Sequence, residues 1–169
     1  MPRPDLTRIP AYFHHYVNQV PEDDLMEAFR QGTGNMMQLL ARIPASKHDY
    51  RYEPGKWTVR EVLQHVIDAE RVFAYRALRF ARMDTTPLPG FDENLFARHA
   101  QADRRRWEDL VNEFQAVRTS SQYLFSSFGE EQLNASGIAS NQPVYVLGIG
   151  FLLIGHALHH LRIIEERYL

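Results

Sequence analysis

The 169-residue sequence predicts an all-α fold: a four-helix bundle with a long connection between its second and third helices. Apolar residues recur at spacings of three and four along four long segments, as they do on one face of an amphipathic helix. Proline and glycine cluster between these segments, where the chain is expected to turn. No period-two run bounded by hairpin turns competes with the helices, so we expect no β-strand.

The first two helices carry recognisable start signals. The first follows the acidic run PEDD at residues 21–24, whose charge suits the positive end of a helix dipole, and Pro44 ends it. The second is predicted to begin at Thr58, a favourable N-cap, with Glu61 three residues later as its capping-box partner. His65 lies on the apolar stripe of this helix, so its side chain is expected to face the core.

The second half of the chain is predicted to form the other two helices. The segment TTPLPGFDEN, residues 85–94, is the long connection, because its prolines and glycine disfavour a helix. A helical region follows from Glu93 to Phe128 and is expected to break near Ala102, since it is longer than a typical globular helix. The last helix is predicted from Pro143 or Val144 to Tyr168.

Composition bounds the class of protein. A chain of 169 residues is near the usual size of one domain, so we expect a single domain over residues 1–169. The net charge of −2 is too small to indicate electrostatic capture of nucleic acid. Cysteine is absent, which excludes disulfides and thiolate metal ligands.

Hydropathy along the chain favours a cytoplasmic protein without a membrane partner. The N-terminal residues contain prolines and scattered charge where a signal peptide needs an unbroken apolar run. The most apolar stretch, Val144–Leu158, is shorter than the roughly 18 to 20 residues needed to cross a bilayer. We therefore expect it to form a buried core helix.

Three histidines form a candidate metal site. His156 and His160 are four residues apart, so on a helix they lie one turn apart on the same face and can bind one ion together. His65, on the second helix, is a candidate third ligand, although a single histidine on an apolar face is more often a hydrogen-bonded core residue. Three imidazoles suit zinc or nickel and leave a coordination position for water or a small-molecule substrate. His159 is rotated by about 100 degrees from His160 and is expected to face a neighbouring helix or solvent.

The motifs around these histidines resemble those of the DinB-like superfamily. This is the DNA-damage-inducible four-helix-bundle group that includes YfiT-type metal-dependent hydrolases and bacterial low-molecular-weight-thiol transferases. The resemblance covers nearly the whole chain from about residue 9 onward. It rests on four runs in combination: WTVREVLQHVIDAE at residues 57–70, RALRFAR, TPLPGFDEN and the ending GHALHHLRIIEERYL.

The resemblance implies a fold, a metal site and a class of activity. The implied fold is a YfiT-like four-helix bundle with a long connection between helices two and three, often paired as a homodimer. The three metal-binding histidines of the group match His65, His156 and His160. Zinc and nickel both suit such a site, and the transferase members imply a low-molecular-weight thiol as a further cofactor.

Two classes of function remain open from the sequence. A metal-dependent enzyme would use water or a thiolate as its nucleophile, as a hydrolase or as a thiol S-transferase. The alternative is a non-catalytic metal-binding bundle with a stress-associated binding or structural role, since a fold does not transfer function. Glu61 and Asp68 lie about one turn either side of His65 and are candidates to orient its second ring nitrogen. A helix cap and a charge at the rim of the bundle are the more ordinary roles for these two carboxylates.

The substrate is expected to contact side chains around the metal. Candidates for this lining are Tyr12, Phe13, Arg76, Phe91 and Tyr145. Aromatic residues in such a bundle more often belong to the core, so the sequence alone does not separate the two roles.

Overall fold

The computed structural model describes residues 1–169, and most of them are helical. Four long helices form the bundle, as predicted. Three short helices and a two-stranded sheet complete the fold. The elements in chain order are α1 (His14–Val17), α2 (Leu25–Arg42), α3 (Val59–Ala81), α4 (Glu93–Ala100), α5 (Trp107–Ser126), α6 (Glu130–Asn134), β1 (Ser136–Ala139), β2 (Gln142–Tyr145) and α7 (Val146–Arg167).

Local signals in the sequence define where the helices begin. The Asp24 side chain accepts hydrogen bonds from two backbone N–H groups in the first turn of α2. Thr58 and Glu61 form the reciprocal capping box at the start of α3, which confirms that prediction. The expected break in the third helical region is also present, because Gln101 adopts a left-handed conformation between α4 and α5.

The long helices follow one another around the bundle in the order α2, α5, α3, α7. Neighbouring helices α3 and α5 run in the same direction. Arg105, just before α5, bonds Gln64 of α3, and Arg118 farther along α5 bonds Glu70 farther along α3. Adjacent parallel helices need a crossover that returns along the bundle. Residues 82–106, including α4, form that crossover.

The expectation of no strand is wrong. Strands β1 and β2 pair as an antiparallel hairpin, and the two residues between them, Ser140 and Asn141, have φ values of 51° and 61°. Positive φ at both positions is typical of a tight hairpin turn, which Asn can adopt. Leu88 of the crossover pairs with the hairpin through Ile138 and Ser140. Since β2 extends to Tyr145, helix α7 begins at Val146 and not at Pro143 or Val144.

A polar layer divides the core halfway along the bundle. One cluster of 25 buried apolar residues lies toward the hairpin, and a second cluster of 15 lies toward the other end. Glu70, Arg118 and His156 lie between the clusters, and all three are buried. Gly32 of α2 adjoins this layer, where an added Cβ would lie 3.0 Å from a methyl of Ile154.

Helix α7 is the most apolar element. Its length and composition would allow it to cross a membrane, with a mean hydropathy of 1.5 over its most apolar 18 residues. In the structure 67% of that window is buried inside the bundle. This burial is typical of a core helix, as predicted for Val144–Leu158.

The ion pair between Glu70 and Arg118 joins α3 to α5 in the polar layer. Nε of Arg118 donates to both carboxylate oxygens, at 2.9 and 3.0 Å, and the two side chains are only 2% and 1% exposed. The rings of Phe29 and Phe114 flank the guanidinium carbon at 5.7 and 5.2 Å. Either charge alone would be buried without compensation, so each requires the other.

Replacing Glu70 with leucine or Arg118 with methionine alone is expected to lower the free energy of unfolding by about 3–5 kcal/mol, because each change leaves one buried charge unpaired. The double variant is expected to recover most of that loss, because no charge remains. Urea unfolding followed by far-ultraviolet circular dichroism measures all three variants.

The surface pair of Arg42 and Glu165 provides the matched control, since these side chains are 67% and 41% exposed. Arg42→Met is expected to change the free energy of unfolding by less than about 1 kcal/mol. Equal losses for the buried single variants and this control would contradict the role of the buried pair.

Candidate metal centre

The structure brings His65, His156 and His160 together. Helix α3 supplies His65, and the facing side of α7 supplies the other two, one turn apart. Nε2 of His156 lies 3.0 Å from Nε2 of His65 and 3.2 Å from Nε2 of His160. One ligand atom from each ring lies within 4.8 Å of the others.

Burial keeps the three imidazoles neutral at pH 7. It lowers the pKa of His65 to about 4 and the pKa of His160 to about 3. Burial also lowers the pKa of His156 well below its ordinary value, and the neighbouring His160 and His65 add to that effect. A neutral ring retains a lone pair, which is the form that binds a metal.

The donor set fits a divalent ion such as zinc or nickel. Each neutral imidazole has a single N–H, so Nε2 of His156 offers either one proton or one lone pair to its two neighbours. The protein therefore leaves part of this buried cluster unsatisfied, and an ion bound to all three nitrogens would satisfy it. Tetrahedral zinc with bonds of 2.0–2.1 Å separates its nitrogen ligands by about 3.3 Å. The two distances from Nε2 of His156, 3.0 and 3.2 Å, are close to that value.

Aromatic rings surround the cluster. The ring centroids of Trp57 and His65 are 4.8 Å apart, while Phe73 and Tyr16 lie 5.8 and 5.5 Å from His156. Tyr16 reaches this position because α1 approaches α7 closely at Gly155, where an added Cβ would lie 2.1 Å from the Tyr16 carbonyl oxygen. These rings shield one side of the cluster from water.

A cavity of about 290 Å³ adjoins the histidines. Its lining includes Tyr12 and Glu93, both exposed, so it reaches the protein surface. Six of its thirteen lining residues are Tyr, Phe or Trp, and its polar side chains besides the histidines are Arg76, Glu93 and Ser140. The lining residues are Tyr12, Phe13, Tyr16, Trp57, His65, Ala69, Phe73, Arg76, Phe91, Glu93, Ser140, His156 and His160.

Four of the five predicted lining residues face this cavity. Tyr12, Phe13, Arg76 and Phe91 line it, whereas Tyr145 does not. The Tyr145 hydroxyl accepts a hydrogen bond from the backbone N–H of Asp5, and Arg8 lies over its ring. Tyr145 instead fastens the N-terminal segment to the hairpin.

The two carboxylates beside His65 are used elsewhere. Glu61 completes the capping box of α3, and Asp68 accepts a hydrogen bond from Gln64. Neither makes a hydrogen bond to His65 in this structure. The three rings make no hydrogen bonds to the protein through Nδ1.

Several cavity residues were missed because they reach the site only through tertiary structure. Glu93 enters from the start of α4, and Ser140 from the hairpin turn. Phe73 carried a sequence signal, since it continues the apolar face of His65 on α3, whereas Trp57 precedes the helix and has no such signal. His159 lies outside the cluster and packs against Tyr16, as expected for its rotated position.

These features define a helical bundle with a three-histidine cluster, able to hold a metal, at the wall of a cavity. The chain belongs to the DinB superfamily, whose sequence pattern matches residues 28–164. No curated protein matches the sequence.

Two solved structures share the fold. YfiT from Bacillus subtilis, described as "a probable metal-dependent hydrolase with an unusual four-helix bundle topology", is 18% identical with a TM-score of 0.72. That match covers 84% of this chain and 82% of YfiT. The mycothiol-dependent maleylpyruvate isomerase is 13% identical with a TM-score of 0.69, over 82% of this chain and 58% of that protein. At these identities the similarity shows the fold, and function must be argued from the site.

Replacing His156 or His160 with alanine is expected to reduce bound zinc or nickel from near one equivalent to less than about 0.2, because two imidazoles bind far more weakly than three. Elemental analysis of the purified variants measures this loss. His159→Ala is the matched control, since it removes an adjacent imidazole outside the cluster, and it should retain the metal. Unchanged metal content in both cluster variants would exclude this site.

Proposed function

We propose that this protein is a metal-dependent enzyme that acts on a small organic molecule at the three-histidine cluster. The observation that carries the proposal is the convergence of three neutral histidine nitrogens on the wall of a cavity that reaches the surface. His65, His156 and His160 would hold the ion, with zinc and nickel as the candidate metals.

The position of the cluster favours an enzyme over a structural metal site. Structural zinc sites in proteins are usually closed by four protein ligands, whereas catalytic sites keep a position open. Here only three ligands converge, and no carboxylate joins the group. A space of about 290 Å³ beside them is large enough for a small substrate.

A divalent ion at this site would supply Lewis acidity, which lowers the pKa of an adjacent water or thiol. Glu93 is the only carboxylate among the cavity residues. Glu93 and the three histidines line the same cavity, so the carboxylate faces the space beside the cluster. Glu93 is therefore placed to accept the proton that the nucleophile loses.

The aromatic residues of the cavity wall have further roles in the proposed function. Trp57, Phe73 and Tyr16 exclude water from one side of the cluster and offer flat apolar surfaces to a substrate. Burial raises the pKa of Tyr16 to about 12, so its phenol keeps its proton at pH 7. Tyr16 can then donate a hydrogen bond within the cavity.

Two reactions are candidates at this site. Hydrolysis is supported by the fold of YfiT, which is described as "a probable metal-dependent hydrolase". Transfer of a low-molecular-weight thiol is supported by the fold of an isomerase named as mycothiol-dependent. Water or a thiol would be the nucleophile, and Glu93 would serve as proton acceptor in either case.

For the cellular setting, the proposal keeps the expectations drawn from the sequence. A cytoplasmic location, a homodimer and the absence of nucleic-acid or membrane partners are part of the proposal. Size-exclusion chromatography with light scattering measures the oligomeric state directly.

The metal-loaded protein is expected to turn over at least one member of a panel of small esters, amides and thiol acceptors. The thiol arm uses monochlorobimane, in which a thiol sulfur displaces chloride and a proton is released. A chelator should abolish the turnover, and added zinc or nickel should restore it. Bound metal without turnover across the panel would favour a non-catalytic bundle.

Glu93→Gln is expected to lower kcat by about 100-fold on whichever panel substrate is active, because the amide cannot accept a proton. Metal content should remain unchanged, since Glu93 is outside the histidine group. Glu131→Gln, a surface change on α6, is the matched control and should retain full activity. A kcat for Glu93→Gln within about twofold of the control would contradict this role.

A further inference from the structure

Arg76, in the cavity beside the histidines, is a buried cation that forms no ion pair. Its side chain belongs to the lining of the cavity and the residue is only 6% exposed. No carboxylate lies within ion-pair distance, which distinguishes it from the buried Arg118 with its partner Glu70. A buried charge is costly unless a partner of opposite charge meets it.

The hydrogen bonds of Arg76 hold the side chain in place but leave much of the guanidinium free. Nη2 donates to the Pro89 carbonyl oxygen at 3.0 Å and to Ser140 Oγ at 2.9 Å. Both acceptors are neutral, so they do not compensate the charge. Nε and Nη1 donate to no protein atom. The crossover and the hairpin turn thus fix a planar cation whose remaining N–H groups are available to a ligand.

Arg76 and the histidines lie at two ends of the same cavity. His65 and Arg76 are close to three helical turns apart, so both point to the same side of α3. The Phe73 ring lies between them, 5.8 Å from the His156 ring and 6.0 Å from the guanidinium carbon of Arg76. A ligand that lies along this ring can reach both ends.

We propose that Arg76 binds a carboxylate of the reacting molecule, so that the enzyme acts on small organic acids whose reactive carbon lies at the histidine cluster. This inference rests on the proposed metal-dependent function, because it treats the cavity as the substrate site. A guanidinium pairs with a carboxylate through two parallel hydrogen bonds. Arg76 is the one lysine or arginine in the lining, which suits a single negative charge better than a phosphate dianion.

The test compares 3-phenylpropionate with its uncharged amide, 3-phenylpropanamide, by isothermal titration of the metal-loaded protein. The acid is expected to bind about tenfold tighter than the amide, because charge-assisted hydrogen bonds exceed neutral ones. In Arg76→Gln that preference should fall below about threefold, while binding of the amide persists. Arg82→Gln removes a charge from the exposed end of the same helix and should keep the full preference.

Two additions keep the test decisive. Arg76→Lys retains the charge and loses the planar fork, so its preference should lie between those of the wild-type and Arg76→Gln proteins. Phenyl phosphate is titrated in parallel and should bind more weakly than the acid. Tighter, Arg76-dependent binding of phenyl phosphate would overturn the assignment to a carboxylate.

The proposal is overturned if Arg76→Gln retains the tenfold preference, since the acid would then be held elsewhere, for example by the metal. It is also overturned if the metal-loaded wild-type protein shows no preference. Metal content and the activity panel are measured on the same samples. The activity panel therefore reports failure of the proposed enzyme function, and the titrations separately report failure of the carboxylate site. The panel can next include esters and electrophiles that carry a separate free carboxylate, and thiols that carry one, which distinguishes a carboxylate on the electrophile from a carboxylate on the thiol.

Discussion

The parallel packing of α3 against α5 is the constraint on which the rest of the structure depends, and the buried pair of Glu70 and Arg118 holds the two helices together. Two neighbouring parallel helices cannot be joined by a tight turn, so the chain must return along the bundle before α5 begins. That crossover brings Pro89, Phe91 and Glu93 to the cavity. The topology therefore supplies cavity residues that the four long helices alone would lack.

The same polar layer affects the protonation of the histidine cluster. Burial is the largest cause of the lowered pKa of His156, and the other histidines and then the nearby Arg118 contribute further. Glu70 neutralises Arg118, so the layer disfavours an extra proton on His156 without presenting an uncompensated cation to a metal. Isolated buried polar groups are costly. Here Glu70 and Arg118 form an ion pair, and His156 belongs to the three-histidine cluster that could bind a metal. Placing both in one layer leaves the two apolar clusters of the core uninterrupted.

How far the sequence predicts this structure depends on whether a feature has a local signal. Thr58 with Glu61, and His156 with His160, are defined by spacings of three and four residues, so the helix start and the pair could be read directly. The hairpin has no such signal: its turn is Ser140–Asn141 in place of Asn-Gly, and its partner Leu88 is distant in sequence. Tyr145 was wrongly placed in the cavity because its side chain is directed by a contact with the N-terminal segment, which no periodicity shows.

In the proposed enzyme, the residues that would activate the nucleophile and the residue that would select the substrate are held by different parts of the chain. The histidine cluster comes from the regular helices α3 and α7. Its residue spacing can therefore be repeated in any protein with the same bundle. At the other end of the cavity Arg76 also belongs to helix α3, but irregular segments fix its side chain, because it bonds Pro89 of the crossover and Ser140 of the hairpin turn. Loops tolerate change far better than packed helices, so this end can vary while the bundle stays constant. Two solved structures with similar bundles carry descriptions of different chemistry, a hydrolase and a thiol-dependent isomerase. Under the proposed function, the buried guanidinium of Arg76, and not the histidine cluster, would select which molecule reacts.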